Sequence, residues 1–416
     1  MSSSMQRLML THVGHRRLLA IERACAVIDD EGTLLNQLAS QGLLGLEITP
    51  QVEYLIARGW MIVAPADLSA EDALVRYRRN PLEHVEHINF EITNQCNFKC
   101  LHCRNGGVKV FRERDMAKLE EAGRLFLSLG IRRFDFIGGE VTRYGRGWLD
   151  LSRTLRDHDS TLNWPDPLKV TVYTNGWWLN EKGFDAAERY YHDESAYLVD
   201  LKAHGVSHIL FSIDGPAGRH DRWRGYPGLF QRILESIPRI KAAGLAPRLS
   251  VVTFPMEEFE HLRPFAKAIY DDPVDPLGQF AEDRMNHVSN FVDSGNAADH
   301  LRAGHFRLSR VTPDMIRCKA FFRPRPTLRI MSNGALGICP LMLGEEGYGN
   351  IHDRPLLDIL NHLEVAPLYR LHASGEIGRY LQDVDPAKFA TGFDHLCAVR
   401  IEVNRRAMAD LTISPR

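Results

Sequence analysis

The chain has 416 residues, of which 44% are hydrophobic and 25% charged, and its formal net charge is −2. A chain of this length is too long for a single hydrophobic core of ordinary size, so we expect two or three domains. The balanced charge offers no basic groove for nucleic acid, and no apolar stretch approaches the roughly 20 residues of a membrane span. The N-terminus lacks the apolar segment of a signal peptide, so we expect a cytoplasmic protein with reduced thiols.

Residues 1–82 are predicted to form a small N-terminal α+β domain. Leu34, Leu35 and Leu38 recur at helical spacing, and Thr49-Pro50 suits the start of a second helix. The run from Trp60 to Ala64 is typical of a strand. The polar residues 69–83 are predicted to link this domain to the next one.

Three cysteines follow a predicted strand. Residues His87–Thr93 alternate apolar and polar side chains, as a half-buried strand does. Cys96, Cys100 and Cys103 come next, in the spacing C-x3-C-x2-C. Three thiolates on one short loop can ligate three irons of a cubane and leave the fourth iron without a protein ligand. A structural zinc site would need a fourth ligand, usually from a second C-x2-C pair, and none lies nearby.

This motif resembles that of the radical S-adenosylmethionine (radical SAM) enzymes. In that family the three cysteines hold a 4Fe-4S cluster whose open iron binds the amino and carboxylate groups of S-adenosylmethionine. Reductive cleavage then gives a 5'-deoxyadenosyl radical that abstracts a substrate hydrogen. The resemblance implies an external electron donor such as flavodoxin or ferredoxin. It also implies that His102, which precedes the third cysteine, lies near the adenine.

From Ile88 onward the chain alternates strand-like and helix-like segments, which predicts an α/β fold with a parallel sheet. A helix is predicted from Met116 to Leu129, and another from Phe230 to Ile240 with a kink at Pro238. Further strands are predicted at 133–137, 169–174, 208–213 and 248–253, with a sixth at 288–292. The resemblance makes residues 83–305 a partial, TIM-like (β/α)6 radical SAM barrel.

Polar and glycine-rich turns follow three of these strands, at the sheet edge where ligands of parallel β/α sheets bind. Taken singly, the residues of each turn are also common in purely structural turns. Trp177-Trp178 suits packing at the barrel rim as well as stacking on a substrate. By resemblance, Glu140 receives the methionine amino group and Arg224 meets the methionine carboxylate. The cofactor-binding residues so implied are His102, Gly138, Gly139, Glu140, Thr174, Asn175, Ser212, Asp214 and Arg224. No catalytic side chain is assigned.

Residues 306–416 contain three more cysteines. A hairpin is predicted around Asn333-Gly334. The spacing of Cys318, Gly334 and Cys339 is similar to the start of SPASM and twitch extensions, which hold auxiliary clusters. The later cysteine run of a full SPASM domain is missing, and only Cys397 remains.

The resemblance therefore implies a shortened, twitch-like β-hairpin and helix domain with one auxiliary 4Fe-4S cluster. Its ligands would be Cys318, Cys339 and Cys397, with His352, His395 or no protein residue at the fourth iron. The alternative interpretation is that these three cysteines are unrelated buried thiols that bind no cluster.

We expect a radical SAM oxidoreductase or maturase. The pattern of the N-terminal domain is similar to winged-helix-like domains that recognise leader segments of ribosomally made peptides, which favours a peptide substrate and cross-linking or epimerisation. A plain helical extension fits this pattern equally well. The alternative is dehydrogenation of a small polyol or amino sugar in natural-product biosynthesis. A third interpretation is a non-enzymatic zinc-binding regulator.

Overall fold

The computed structural model describes the barrel core most fully. The described residues are 6–10, 43–44, 52, 56, 61–65, 85, 87–103, 115–162, 166–252, 261–270, 286–288, 327–337, 348–365, 371, 379–380, 402–403 and 405–407. None of the helices described is long and apolar enough to cross a membrane.

A three-stranded antiparallel sheet lies in the N-terminal part of the chain. Its strands are β1 (Gln6–Leu10), β2 (Leu43–Leu44) and β3 (Met61–Pro65), in the order β2-β1-β3. Strand β3 confirms the strand predicted around Trp60 to Ala64, whereas β1 was not predicted. The predicted helices around Leu34 and after Thr49 and the linker at 69–83 lie outside the described residues, apart from isolated positions.

The main sheet contains six parallel strands that alternate with helices along the chain. The strands are β4 (His87–Thr93), β5 (Arg133–Gly138), β6 (Lys169–Thr174), β9 (His208–Ile213), β10 (Ala246–Val252) and β11 (Asn286–Val288). They pair in the order β11-β10-β9-β6-β5-β4, and across the described strands the sheet does not close. The fold is therefore the partial barrel that the sequence predicts. Of the predicted sixth strand, residues 289–292 lie outside the described residues.

Helices cover one face of this sheet. They are α1 (Met116–Ser128), α2 (Val141–Tyr144), α3 (Trp148–Asp159), α4 (Glu194–Ala203), α5 (Ala217–Arg224), α6 (Leu229–Ala242) and α7 (Arg263–Ile269). Helix α1 begins where the Asp115 side chain accepts a hydrogen bond from the Lys118 N–H. Pro238, where the sequence predicts a kink, lies inside α6.

The strands separate an apolar face from a polar one. Side chains that alternate along β4, β5 and β6 belong to one buried core with the helices; they include Phe90, Phe134 and Val172. The residues between them, such as Glu91 and Asp135, point to the opposite face because successive strand residues alternate. The interior of the partial barrel is therefore polar, while its hydrophobic core lies between strands and helices.

Two hairpins add to this barrel. Strands β7 (Lys182–Ala186) and β8 (Arg189–Asp193) form a separate antiparallel pair between β6 and α4, which the sequence did not predict. Strands β12 (Thr327–Ile330) and β13 (Leu336–Gly337) confirm the hairpin predicted around Asn333-Gly334. Strand β12 pairs in parallel with β4, so this hairpin continues the barrel sheet. Helix α8 (Leu356–Val365) follows the hairpin, as expected for a hairpin and helix domain.

Candidate cofactor-binding site

The loop that carries Cys96, Cys100 and Cys103 directly follows β4, at the carboxyl end of the strand. Its turns are fixed by the Phe98 N–H, which donates to Cys96 Sγ at 3.4 Å, and by the Cys103 N–H, which donates to the Cys100 carbonyl at 3.2 Å. The Leu101 N–H bonds the Trp223 carbonyl in α5 at 2.9 Å. The loop is thus held by β4, which it follows, and by its hydrogen bond to α5.

The surroundings of the thiols decide their protonation. Burial, followed by the nearby Glu140 carboxylate, raises the pKa of Cys96 to about 11, and burial raises that of Cys100 to about 12. Without a metal these two groups are therefore neutral thiols at pH 7, and iron must displace their protons.

The three thiols are near enough to influence one another's pKa. Nevertheless, no three Cys, His, Asp or Glu side chains among the described residues converge on a point that would hold one metal ion. Independently of this, three thiolates on one loop can ligate a cluster in which each binds a different iron.

Gly138 and Gly139 end β5 against the chain that enters the cysteine loop. A Cβ on Gly138 would lie 2.1 Å from the Thr93 carbonyl oxygen, and one on Gly139 would lie 2.0 Å from that of Gln95. The close approach allows the Gly139 and Glu140 N–H groups to donate to these same carbonyls, at 2.5 and 2.7 Å. In this structure the two glycines therefore allow contact between β5 and the segment before the cysteines.

Glu140 is 1% exposed and accepts hydrogen bonds from both neighbouring turns. Its Oε1 accepts from the hydroxyl groups of Thr142 and Thr174 and from the Thr142 N–H, and its Oε2 accepts from the Asn175 N–H at 2.7 Å. Burial raises the pKa of the carboxyl group, and these four hydrogen bonds oppose that rise. The carboxylate thus joins the turn after β5 to the turn after β6.

Asn175 extends this connection to the cysteine loop. Its side-chain amide donates to Asn97 Oδ1 at 3.0 Å and lies 3.9 Å from Cys96 Sγ. Its own Oδ1 accepts from the Trp177 N–H. Trp177 and Trp178 are buried, and their indole N–H groups bond Thr142 and Thr174. The two tryptophans therefore pack the rim of the barrel, which was one of the two sequence-based interpretations.

Asp214 and Arg224 form a buried ion pair at the end of β9. Arg224 Nε and Nη2 donate to the two oxygens of Asp214 at 2.6 and 3.1 Å. His102 Nε2 lies 3.4 Å from Asp214 Oδ1. The Asp214 N–H donates to Nδ1 of His220, at 3.1 Å. The pair brings the predicted residues Asp214, Arg224 and His102 together, and the contact of Arg224 with the methionine carboxylate stays a prediction.

The sequence did not single out three polar contributors: Asn97, Thr142 and His220. Asn97 lies between two cysteines, and Thr142 two residues after Glu140, so only their positions in the motifs could have indicated them. Ser212 lies half-buried on β9, opposite Ser250 of β10 in the parallel register. Its hydroxyl group is thus near the same end of the sheet.

Within the described residues, the C-terminal hairpin is bonded to the segment that enters the cysteine loop. The Asn94 side-chain amide donates to Ser332 Oγ in the hairpin turn at 2.7 Å. His352 is exposed, next to Gly334. Cys318, Cys339, Cys397 and His395 lie outside the described residues, so the predicted auxiliary cluster stays a prediction.

Residues 90–269 match the model of the Radical SAM superfamily. This range begins in β4 and includes the cysteine loop and every strand-end turn described above. Residues 90–269 thus form a radical SAM domain. This domain implies a 4Fe-4S cluster and S-adenosylmethionine as cofactors, and it supports the enzymatic interpretation over a zinc-binding regulator.

The GTP 3',8-cyclase of Nitrobacter hamburgensis is 26% identical over 220 residues, which are 49% of this chain and 56% of that enzyme. The chain thus matches little more than half the length of this relative. Streptococcus suis SuiB bound to S-adenosylmethionine aligns over 83% of this chain and 75% of SuiB, with 14% identity and a TM-score of 0.43. BtrN in complex with AdoMet and 2-DOIA aligns over 71% of this chain and 89% of BtrN, with 14% identity and a TM-score of 0.41.

Proposed function

We propose that this radical SAM enzyme matures a ribosomally synthesised peptide by carbon-centred radical chemistry, such as cross-linking or epimerisation. The observation that carries the proposal is the N-terminal antiparallel sheet, in which β3 is an outer strand. The outer strand of a sheet can accept an extended peptide as an added strand, with backbone hydrogen bonds for affinity and side-chain pockets for choice.

At the barrel, Cys96, Cys100 and Cys103 would hold the cluster through three thiolates. When bound, the cluster supplies the electron that cleaves S-adenosylmethionine and so generates the 5'-deoxyadenosyl radical. Glu140 would bind the methionine amino group through Oε2, which carries one hydrogen bond where Oε1 carries three. His102, Asn175 and Ser212 would border the nucleoside from the cysteine loop, the β6 turn and β9.

Strand β3 has the properties of a docking strand. It pairs with β1 over all five residues, from Met61 opposite Leu10 to Pro65 opposite Gln6. Met61, Ile62 and Ala64 are buried, so these side chains anchor the strand. Within the described residues no strand pairs with the other edge of β3.

The test uses anaerobically reconstituted enzyme with S-adenosylmethionine, dithionite and short peptides encoded beside the gene. We expect one peptide to change mass or stereochemistry only in the presence of S-adenosylmethionine. The variant lacking residues 1–82 should still form 5'-deoxyadenosine without substrate but should lose peptide turnover. A folded truncated enzyme that processes the peptide at the wild-type rate would rule out the recognition role.

The relatedness to GTP 3',8-cyclases favours a second candidate, a cyclisation that begins with hydrogen abstraction from a nucleotide. Incubation with GTP in place of the peptides tests it, with loss of GTP and formation of 5'-deoxyadenosine as the readouts. A dehydrogenase of a polyol or amino sugar would instead need an electron acceptor at Cys318, Cys339 and Cys397, which lie outside the described residues.

A further inference from the structure

The buried Asp214–Arg224 pair lies against the cysteine loop. Its two side chains are 0% and 8% exposed, and the two hydrogen bonds between them form a bidentate contact. Withdrawal of two charges from water is expensive, and such pairs add little net stability compared with apolar side chains. The position of the pair therefore needs a reason other than stability.

The contacts of the pair fix Arg224 beside the loop. The carbonyl oxygen of Trp223, the residue before Arg224, accepts a hydrogen bond from the Leu101 N–H at 2.9 Å. The imidazole of His102 contacts both Asp214, at 3.4 Å, and the Trp223 ring, with 5.6 Å between ring centroids. Arg224 of α5 and Asp214 after β9 thus place two opposite charges beside the loop.

Both charges lie against the cysteine loop. Arg224 directly follows Trp223, whose carbonyl is bonded to Leu101, and Asp214 Oδ1 lies 3.4 Å from the ring of His102, the residue before Cys103. Burial alone would raise the pKa of Asp214, but the Arg224 guanidinium holds it well below its usual range. Asp214 is therefore a carboxylate at neutral pH, and it offsets part of the positive charge of Arg224.

We propose that Arg224 and Asp214 set the reduction potential of the cluster at Cys96, Cys100 and Cys103. Arg224 acts as a fixed buried cation, and Asp214 positions and attenuates it. Reduction by a low-potential one-electron donor adds one negative charge to the bound cluster and breaks no bond. A nearby cation favours this charge and raises the potential, whereas a nearby anion lowers it. The proposal rests on the proposed cluster site.

The two members of the pair make opposite predictions. Arg224→Gln should lower the midpoint potential of the cluster, and Asp214→Asn should raise it, because each removes one charge and keeps the approximate shape. Redox titration with dithionite, followed by electron paramagnetic resonance without S-adenosylmethionine, gives both potentials. The signal is assigned as the one missing in the Cys96/Cys100/Cys103 to Ala triple variant.

Arg132→Gln is the matched control. Arg132 is also a buried arginine paired with an aspartate, Asp159, but it precedes β5 at the opposite end of the sheet from the loop. Its replacement should leave the potential at the wild-type value. A potential that shifts in the same direction in Arg224→Gln and Asp214→Asn, or in neither, with full iron content, overturns the proposal.

Two further variants keep the proposal testable if a single variant fails to fold. Arg224→Lys keeps the charge and should keep the potential near the wild-type value. The Asp214→Asn/Arg224→Gln double variant has no unpaired buried charge, and its potential should lie below that of Asp214→Asn alone. Equal potentials in this double variant and Asp214→Asn would also overturn the proposal. Wild-type protein that takes up no iron would instead reject the cluster itself.

Discussion

At the scale of single residues, the site is built from side chains that bind one another before they bind a cofactor. Glu140, Thr142, Thr174 and Asn175 form one continuous set of hydrogen bonds between the turns after β5 and β6. Charge-assisted bonds of this kind hold a carboxylate in one orientation. Pre-orientation of Glu140 reduces the entropy that is lost when a ligand amino group binds.

Replacement of Gly139 by alanine tests the contact between β5 and the cysteine loop. The new Cβ would meet backbone, the Gln95 carbonyl oxygen at 2.0 Å, which cannot rotate away. We expect a destabilisation of roughly 1–3 kcal/mol, as for other overpacked sites, together with reduced iron uptake because the loop is displaced. Urea denaturation and iron analysis of the reconstituted protein measure both effects.

Gly218→Ala is the control for this variant. Gly218 lies in α5, and a Cβ there would have nothing within 4 Å. This substitution should stabilise the protein by roughly 0.4–1 kcal/mol and leave iron uptake unchanged. Wild-type iron content and stability in Gly139→Ala would contradict the role given to the glycine pair.

At the scale of secondary structure elements, the β12–β13 hairpin is one place within the described residues where the C-terminal part of the chain meets the barrel. Its first strand pairs with β4, and its turn bonds Asn94, which precedes the first cysteine by two residues. Displacement of the hairpin therefore alters both the edge of the sheet and the entry to the loop.

Gly334→Ala tests how tightly this hairpin is packed. Gly334 has a φ of +84°, and a Cβ there would lie 2.3 Å from the His352 ring and 2.5 Å from Asn350 Oδ1. Gly228→Ala is the control, since Gly228 has a φ of +80° and an open surrounding. The control should lose roughly 1–3 kcal/mol from backbone strain alone. Gly334→Ala should lose more, because strain and contact add, and equal losses in urea denaturation would refute tight packing.

The local patterns of the sequence were sufficient for the parallel strands and for the turns that follow them, since each strand end is marked by glycine or polar residues. They failed at a hairpin whose turn has unusual residues and at an ion pair between two elements. The turn between β7 and β8 is Ala187-Glu188, with φ of 47° and 74°, where a hairpin with positive φ usually has Asn-Gly. The partner of Arg224 was also missed, because an ion pair between β9 and α5 leaves no trace in spacing.

At the scale of the whole molecule, the predicted auxiliary cluster changes the iron content. Wild-type protein reconstituted under anaerobic conditions should carry roughly eight irons, as two cubanes ligated by cysteine thiolates, and the Cys96/Cys100/Cys103 triple variant should keep about four. Iron and sulfide analysis measures this difference. A triple variant without iron would show that Cys318, Cys339 and Cys397 hold no cluster.

The pairing of β12 with β4 also has a consequence for synthesis on the ribosome. His87 and Thr327 are 240 residues apart in the chain, yet they face each other in adjacent strands. During synthesis, the edge of β4 that pairs with β12 stays unpaired until β12 itself, which lies in the last quarter of the chain, has been made. Such late, distant pairing slows folding, and an unpaired edge attracts other chains. Slow translation at low temperature should therefore increase the yield of soluble protein.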